Sequence, residues 1–233
     1  MAGQITTLTL CNYTGFRNKV WAFGMMQYAH KYLKDIDGMS FYKLMGSGKG
    51  LGFNPLPDWG VYCLLQVWEN EKQALQFLDS SQLIKNYQKH SSQQATLFMR
   101  NRKAHGKWSG TEPFQVSTEL DGANDMMAVI TRATIKNKNL LKFWKYVPTS
   151  QRPIKNAEGL LYTKGIGEIP IKQMATFSIW NSMEDVRKFA YRSKEHKKAI
   201  KMTKKLDWYS EELFARFQPY KLVGSWEGLK LRF

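Results

Sequence analysis

The chain has 233 residues, of which 43% are hydrophobic, 14% aromatic and 23% charged. This balance excludes a disordered protein and provides enough apolar side chain for one large domain or for two domains of about 110 residues. The formal net charge of +16 favours an anionic ligand or surface, but it does not separate nucleic acid, a membrane and an acidic ligand from one another.

The first half of the chain predicts the element order β-α-β-β-α-β. A strand at 5–10 precedes a helix at 19–32, and an aromatic strand at 41–48 ends in Gly-x-Gly. The segment 61–77 reads as a strand ending in Trp, a polar N-cap region and a second helix, and a further strand begins near residue 97. This is the order of a ferredoxin-like unit.

The second half repeats this pattern. The segment VYCLLQVWENEKQALQF (61–77) matches QMATFSIWNSMEDVRKF (173–189) at a constant offset, so that Trp68 corresponds to Trp180 and Phe77 to Phe189. The segments 5–10 and 41–48 likewise correspond to 127–133 and 161–167, and Trp108 corresponds to Trp226. The sequence therefore predicts an internal duplication.

We predict an α+β fold of two tandem ferredoxin-like halves, 1–110 and 126–233, joined by a polar linker at 111–125. A four-stranded sheet with helices on one face needs cover on the other face. Packing the two sheets against each other provides that cover and forms a pseudo-symmetric barrel within one chain. Such a barrel is complete without a partner, so we expect a monomer.

Several classes of protein are excluded or disfavoured. The chain has no run of about 18 apolar residues and no secretory signal pattern at its start. Its two cysteines, Cys11 and Cys63, exclude a disulfide scaffold and a CxxC metal site. We therefore expect a cytoplasmic protein, with peripheral membrane contact if its substrate is a lipid. The aromatic side chains expected on the sheets would be buried between the halves, which argues against specific binding of nucleic acid.

Features that differ between the two halves are the candidates for function. On the predicted helix from Met183 to Lys205, His196 shares the apolar face, whereas the first half has Ile84 at the same offset. An inward imidazole is either a hydrogen-bonded core residue or an axial ligand to haem iron. Ser193 and Ala199 flank His196 with little bulk, which would leave space for a flat macrocycle.

Other chemistry-bearing residues give weaker signals. His30, His90 and His105 have no metal-ligand spacing, and Cys63 on a strand is more typical of a buried thiol than of an iron ligand. The run GSGKGLG (46–52) lacks the phosphate-loop order and is interpreted as a connection between strands. Three cations on predicted strands could point into a pocket, namely Lys43, Arg132 and Arg216.

Several long motifs in order, FYKLMGSGKGLGFNPLP, ITRATIKNKNLLKFWKYVP, YTKGIGEIP, QMATFSIW and WYSEELFARF, resemble the spheroidene monooxygenase family. The resemblance extends from about Thr7 to Gly228. It implies membership of the dimeric α+β barrel superfamily, which includes haem enzymes whose proximal His comes from a helix of the C-terminal half. It also implies insertion of a keto group into an acyclic carotenoid, with dioxygen and haem.

The resemblance implies that His196 is the axial ligand of haem b. Arg132 lies in the matching TRAT segment and Arg216 in ELFARF, so either is implied to polarise an oxygen species or to pair with a haem propionate. The expected function is a haem-dependent monooxygenase or peroxygenase with a hydrophobic, carotenoid-like substrate and an unidentified electron donor. The alternatives are a haem-binding or haem-sensing protein with incidental peroxidase activity, and a cofactor-free barrel in which His196 is structural.

Overall fold

A computed structural model of the chain describes residues 3–52, 54–151, 154, 156–192, 208–229, 231 and 233. The strands and helices, in chain order, are β1 (Ile5–Asn12), α1 (Phe16–Tyr28), β2 (Met39–Gly48), β3 (Pro57–Trp68), α2 (Glu71–Ser80), α3 (Gln82–His90), β4 (Gln93–Gly106), β5 (Met127–Ile135), α4 (Leu140–Gln151), β6 (Leu160–Ile169), β7 (Gln173–Trp180), α5 (Met183–Arg192) and β8 (Tyr209–Gly224). Both halves show the predicted order of elements. The second helical segment of the first half is divided into α2 and α3.

All eight strands form one closed antiparallel barrel in the order β1-β3-β2-β6-β7-β5-β8-β4. Each half contributes a four-stranded sheet of ferredoxin-like order, β4-β1-β3-β2 and β8-β5-β7-β6, which confirms the predicted fold class. The two sheets do more than pack against each other, because their edge strands are also hydrogen-bonded. The edge between β4 and β8 is long, whereas β2 and β6 pair only at Gly46–Gly167 and Ser47–Ile166. The barrel is closed at this second edge by those two residue pairs, so most of β2 and most of β6 have no partner strand there.

The strand registers relate the two halves by a pseudo-two-fold axis. Lys43 of β2 lies opposite Leu65 of β3, and Lys164 of β6 lies opposite Phe177 of β7. Leu65 and Phe177 correspond in the sequence repeat, so Lys43 and Lys164 occupy equivalent positions. This correspondence lets every residue of one sheet be compared with its counterpart in the other.

The predicted helix starts are confirmed where the repeat is clearest. The side chain of Asn70 accepts a hydrogen bond from the backbone N–H of Gln73 (3.1 Å), and Ser182 accepts one from the N–H of Asp185 (3.1 Å). Each cap satisfies an N–H group that the first turn leaves without a helical partner. Helix α1 begins earlier than predicted, directly after Gly15, and is continued by a 3-10 turn at Ala29–Tyr32.

The core has an inner and an outer part. The barrel interior is filled by aliphatic and aromatic side chains of both halves, including Leu65, Ile130 and Phe177. Outside the barrel, α1, α2 and α3 cover the first sheet through one cluster that includes Leu64, Trp68 and Phe98. None of the helices in the described part of the chain combines the length and apolar character needed to cross a membrane.

Candidate functional site

The two candidate arginines lie on opposite faces of the second sheet. Leu213, Ala215 and Phe217 of β8 belong to the barrel interior, so Arg216, by strand alternation, faces outward towards the helices. Arg132 of β5 lies on the inner face, because its strand neighbour at two residues, Ile130, is an interior residue. The two side chains therefore cannot serve the same pocket.

Arg132 is held by two carboxylates at one end of the barrel. Its side chain is 1% exposed and pairs with Glu211 and, at 3.4 Å, with Glu168. Glu168 also pairs with the Lys43 ammonium at 2.9 Å and accepts a hydrogen bond from the Trp108 indole N–H at 2.9 Å. A buried guanidinium requires such partners, because an isolated charge in the barrel would be strongly destabilising.

The last residues of the first half, just before the linker, complete this ionic network. The backbone N–H groups of Ser109 and Gly110 donate to the Glu211 carboxylate at 3.0 and 2.7 Å, and Lys43 donates to the Ser109 hydroxyl at 2.6 Å. Partial burial acts to raise the pKa of Glu211, but the Gly110 and Ser109 N–H groups together with Arg132 lower it below its ordinary value. The network thus connects the two halves, and its geometry is that of a structural clamp.

The helix-facing surfaces of the two sheets differ in bulk. By strand register, four large side chains of the first half are replaced in the second: Leu44 by Gly165, Leu64 by Thr176, Gln66 by Ser178 and Phe98 by Arg216. Thr131 is exposed in the middle of β5, whereas its counterpart Thr9 is fully buried in β1. The second sheet therefore offers less side-chain volume towards its helices than the first sheet does.

The described apolar side chains on this second surface form two clusters. One cluster lies around Trp180 of β7 and Val186 of α5. The other lies around Phe143 of α4 and Met174 of β7. Along β7, Thr176 falls between Met174 and Trp180. We call this surface of the second sheet, with its two flanking clusters, the second-sheet face.

Two buried polar atoms on the second-sheet face have no hydrogen-bond partner among the described residues. They are the Nε of Arg216 and the hydroxyl of Thr163. The Arg216 guanidinium lies 4.9 Å from the centre of the Phe214 ring, which does not satisfy its N–H groups. Buried donors are normally paired, but the Nε atoms of Arg100, Arg102 and Arg132 are also buried without a partner among the described residues. An unpaired Nε therefore does not by itself distinguish the second-sheet face.

The predicted haem ligand and its two small neighbours, His196, Ser193 and Ala199, lie outside the described residues. The first-half counterpart of His196 is described: Ile84 on α3 is 1% exposed and belongs to the cluster that packs on the first sheet. In the first half, this position of the repeat therefore faces the sheet.

The other histidines have structural environments. His30 shares a hydrogen bond with the Tyr42 hydroxyl (2.9 Å), His90 stacks on Trp21 with ring centres 4.0 Å apart, and His105 is exposed on β4. Within the described ranges, His, Cys, Asp and Glu form no group of three or more that could hold a metal ion.

Cys63 and the glycine-rich run also have structural roles. Cys63 lies in the barrel interior, where desolvation raises the pKa of its thiol far above the ordinary value and keeps it protonated. The run at 46–52 ends β2 and begins its connection to β3, as expected.

Sequence reasoning missed the partners of Arg132. Glu168 and Glu211 lie in the YTKGIGEIP and WYSEELFARF segments, but their separation from Arg132 in the chain gives no sign of the contact. Sequence reasoning also missed the exchange of Phe98 for Arg216. By sequence, LFMR (97–100) aligns with LFAR (213–216), which pairs Phe98 with Phe214, whereas the strand register pairs Phe98 with Arg216.

Comparison with known proteins agrees with this architecture. The chain is 33% identical over 228 residues to the spheroidene monooxygenase of Cereibacter sphaeroides, covering 97% of this chain and 69% of the relative. It is 32% identical to that of Rhodobacter capsulatus, covering 96% and 93%. No family model matches the chain.

Solved structures show the fold. An aldoxime dehydratase crystallised with butyraldoxime has a TM-score of 0.61 at 12% identity, covering 97% of this chain and 84% of that one. A second aldoxime dehydratase structure gives a TM-score of 0.57 at 12% identity, with coverages of 94% and 82%. Fold and site together define a single-chain dimeric α+β barrel whose two helix-facing surfaces have diverged. Within that class, the chain belongs to the spheroidene monooxygenase family.

Proposed function

We propose that the chain is a haem-dependent monooxygenase that acts on a hydrophobic substrate, with acyclic carotenoids as the first class to test. The names of its relatives support monooxygenation. The observation that supports the haem site most directly is the loss of bulk on the second-sheet face, where Leu44 and Leu64 of the first half are replaced by Gly165 and Thr176.

The residues of the second-sheet face fit a haem group. A porphyrin needs apolar walls, which the clusters around Trp180 and Phe143 offer, and a cation for its propionates. Arg216 has a buried N–H without a partner among the described residues, and leaving such a donor unpaired costs about 1–3 kcal/mol. A propionate or an oxygen ligand would accept that hydrogen bond. Arg132 already has two carboxylate partners on the opposite face, so we assign the haem-facing role to Arg216.

His196 is the proposed axial ligand, from the chain segment that follows α5. Its counterpart Ile84 packs on the first sheet, and the offset that relates the two also relates α2 to α5 and their capping residues. Haem bound there would supply the dioxygen chemistry, and an external reductant would be required as a partner. The protein would contribute the imidazole, the Arg216 cation and an apolar wall that limits access of water.

The electronic spectrum of the purified full-length chain tests the haem proposal. After expression with haem supply we expect a Soret band at about 400 nm. The band should be lost in His196→Ala and retained in the control His105→Ala, whose side chain is exposed. A colourless protein after haemin titration, or a full Soret band in His196→Ala, would refute the assignment.

Turnover tests the enzymatic part separately. The haem-loaded chain should convert an acyclic carotenoid to a ketone in the presence of dioxygen and reductant. A stable Soret band with no product from any apolar polyene, together with transfer of haem to apo-acceptors, would instead support a haem-binding protein.

A further inference from the structure

Most of the large apolar side chains exposed in the described residues belong to three segments that line a cleft beside the short edge where β2 meets β6. They are Phe16, Val20, Phe23 and Tyr28 on α1, Leu51, Leu56 and Trp59 on the β2–β3 hairpin, and Ile169 and Ile171 at the β6–β7 turn. We call this group the seam patch. Exposed apolar patches of this kind mark interaction surfaces in soluble proteins.

Direct contacts join the centre of the seam patch. The rings of Phe23 and Trp59 meet edge to face with centres 5.4 Å apart. Phe23, Trp59 and Ile171 also line one cleft of about 180 Å³, together with Pro55 and Pro170. The patch therefore includes side chains from both halves of the barrel.

Local structure explains why these side chains are exposed. Helix α1 is apolar on two sides: Ala22 and Met25 are buried against the first sheet, while Phe16 and Phe23 point away from it. A surface helix normally keeps polar residues on its outer side. Trp59 leaves the sheet because the register between β2 and β3 shifts from Gly46–Tyr62 to Ser47–Asp58, which bulges the intervening residues outward.

The charge around the seam patch is positive. The first 34 residues contain no Asp or Glu, and two exposed cations adjoin patch residues in the sequence, Arg17 next to Phe16 and Lys49 two residues before Leu51. The two carboxylates that line the cleft are already paired, Asp58 with Lys164 at 2.8 Å and Glu168 with Lys43 at 2.9 Å. The patch thus combines exposed aromatic side chains with basic ones that form no ion pair among the described residues.

We propose that the seam patch docks on an anionic lipid bilayer. Phe16, Phe23 and Trp59 would enter the boundary between headgroups and acyl chains, where aromatic residues are favoured, and the basic residues would contact lipid phosphates. A second copy of the chain is disfavoured as the occupant, because each copy carries a net charge of +16 and the two patches would repel each other. The proposal goes beyond the proposed function and does not depend on haem.

Vesicle flotation with the full chain tests the proposal. We expect at least tenfold more binding to vesicles of phosphatidylglycerol and phosphatidylcholine than to phosphatidylcholine alone. The double variant Phe23→Gln/Trp59→Gln should lower binding to the anionic vesicles at least tenfold. The control Leu141→Gln, which changes a side chain that is 90% exposed on α4, should bind as the wild type does.

A second measurement covers the case in which the double variant does not fold. Quenching of tryptophan fluorescence by brominated acyl chains should fall clearly in Trp59→Phe, which preserves the aromatic bulk. Equal binding by wild type and a folded double variant, or unchanged quenching in Trp59→Phe, would overturn the proposal. So would a concentration-dependent dimer that the double variant abolishes while no vesicle binds. Vesicle binding is measured without haem and the Soret band without lipid, so the two proposals can fail separately.

Discussion

Arg216 of β8 occupies in the second half the position that Phe98 of β4 occupies in the first. Phe98 lies opposite Thr7 of β1, and Arg216 lies opposite Val129 of β5, the register equivalent of Thr7. Phe98 is fully buried under the first-half helices, whereas Arg216 has a buried Nε without a partner among the described residues. At this position of the duplicated fold, the first half has a core aromatic side chain and the second half has a cation.

Removal of the Arg216 cation should weaken haem binding without damage to the apoprotein. A hydrogen bond to a charged group contributes about 1.5–3 kcal/mol, so Arg216→Leu should lower haem affinity roughly 10- to 150-fold in a haemin titration. The melting temperature of the apoprotein should stay equal or rise, since an unsatisfied buried donor is removed. The control Arg100→Leu removes an arginine that pairs with Glu119 at 3.4 Å in the first half. Equal losses of affinity in both variants would contradict the assignment.

Loss of the Glu211 carboxylate and loss of the Arg132 guanidinium should lower the free energy of unfolding by different amounts. Glu211→Gln leaves the fully buried guanidinium with Glu168 as its carboxylate partner and should lower the free energy of unfolding by about 2–3 kcal/mol. Arg132→Met should cost less, because Glu211 keeps two backbone donors and Glu168 keeps Lys43. Urea unfolding measures both variants.

Arg132→Met also separates the two candidate arginines. Since Arg132 lies on the inner face of the sheet, its loss should leave the Soret band and haem affinity close to wild type. A colourless Arg132→Met protein that unfolds at the wild-type urea concentration would move the haem-facing role from Arg216 to Arg132.

The carboxylates of Glu71 and Glu211 should make the stability of the fold depend on pH in the acid range. Partial burial acts to raise the pKa of Glu71, but hydrogen bonds from Lys221 and Tyr220 bring it below the ordinary value of 4.5, and the pKa of Glu211 is likewise lowered. A carboxylate whose pKa is lower in the folded state stabilises the fold above its unfolded pKa, and that contribution is lost as the pH falls through the folded pKa.

The melting temperature should therefore be constant near neutral pH and decline below about pH 4.5. The double variant Glu71→Gln/Glu211→Gln should start less stable and show a shallower decline. An identical slope in the two proteins would show that other groups control the acid transition.

Two equivalent glycines should be intolerant of alanine. Gly106 at the end of β4 and Gly224 at the end of β8 have φ angles of 92° and 88°. A Cβ would lie 2.2 Å from the Glu212 carbonyl oxygen at the first position and 2.3 Å from the Gln94 carbonyl oxygen at the second. Each Gly→Ala change should cost about 1–3 kcal/mol in urea unfolding.

Gly122 in the linker provides the control for these variants. No heavy atom lies within 4 Å of the point that an added methyl group would occupy, and the φ of Gly122 is not positive, so Gly122→Ala should change stability by less than about 0.5 kcal/mol. Equal effects at Gly106 and Gly122 would mean that the strand ends relax around the added methyl group.

Much of the fold was predictable because the sequence patterns that repeat in the two halves are short and local. The Trp68 and Trp180 strand ends and the Asn70 and Ser182 caps depend on residues within a few positions of one another, and their patterns survive duplication. The division of a predicted single helix into α2 and α3 was not anticipated. Ser81 ends the first of these helices in an extended conformation and caps the second, a local choice that hydrophobic periodicity does not report.

The candidate site was less predictable. Arg132 and Arg216 looked equivalent along the chain, since each is a cation on a strand of the same half. Their faces depend on strand register, and a one-residue shift reverses every side chain of a strand. The β4–β8 pairing contains two such shifts, at Phe98/Met99 and Asn101/Lys103. The strand register in the assembled barrel is therefore needed to show that Arg132 and Arg216 lie on opposite faces of the sheet.

The amino-acid pattern alone established the duplication, the β-α-β-β-α-β order, the basic charge and the imidazole at 196 where the other half has Ile84. These properties are set by composition and by spacing over short distances. Assembly of the barrel established which cation is clamped, which faces the helices, and how exposed aromatics from α1 and the β2–β3 hairpin meet at one edge. Those relationships join residues as much as 79 positions apart, and contacts of that kind follow from register and closure, which no short stretch of sequence encodes.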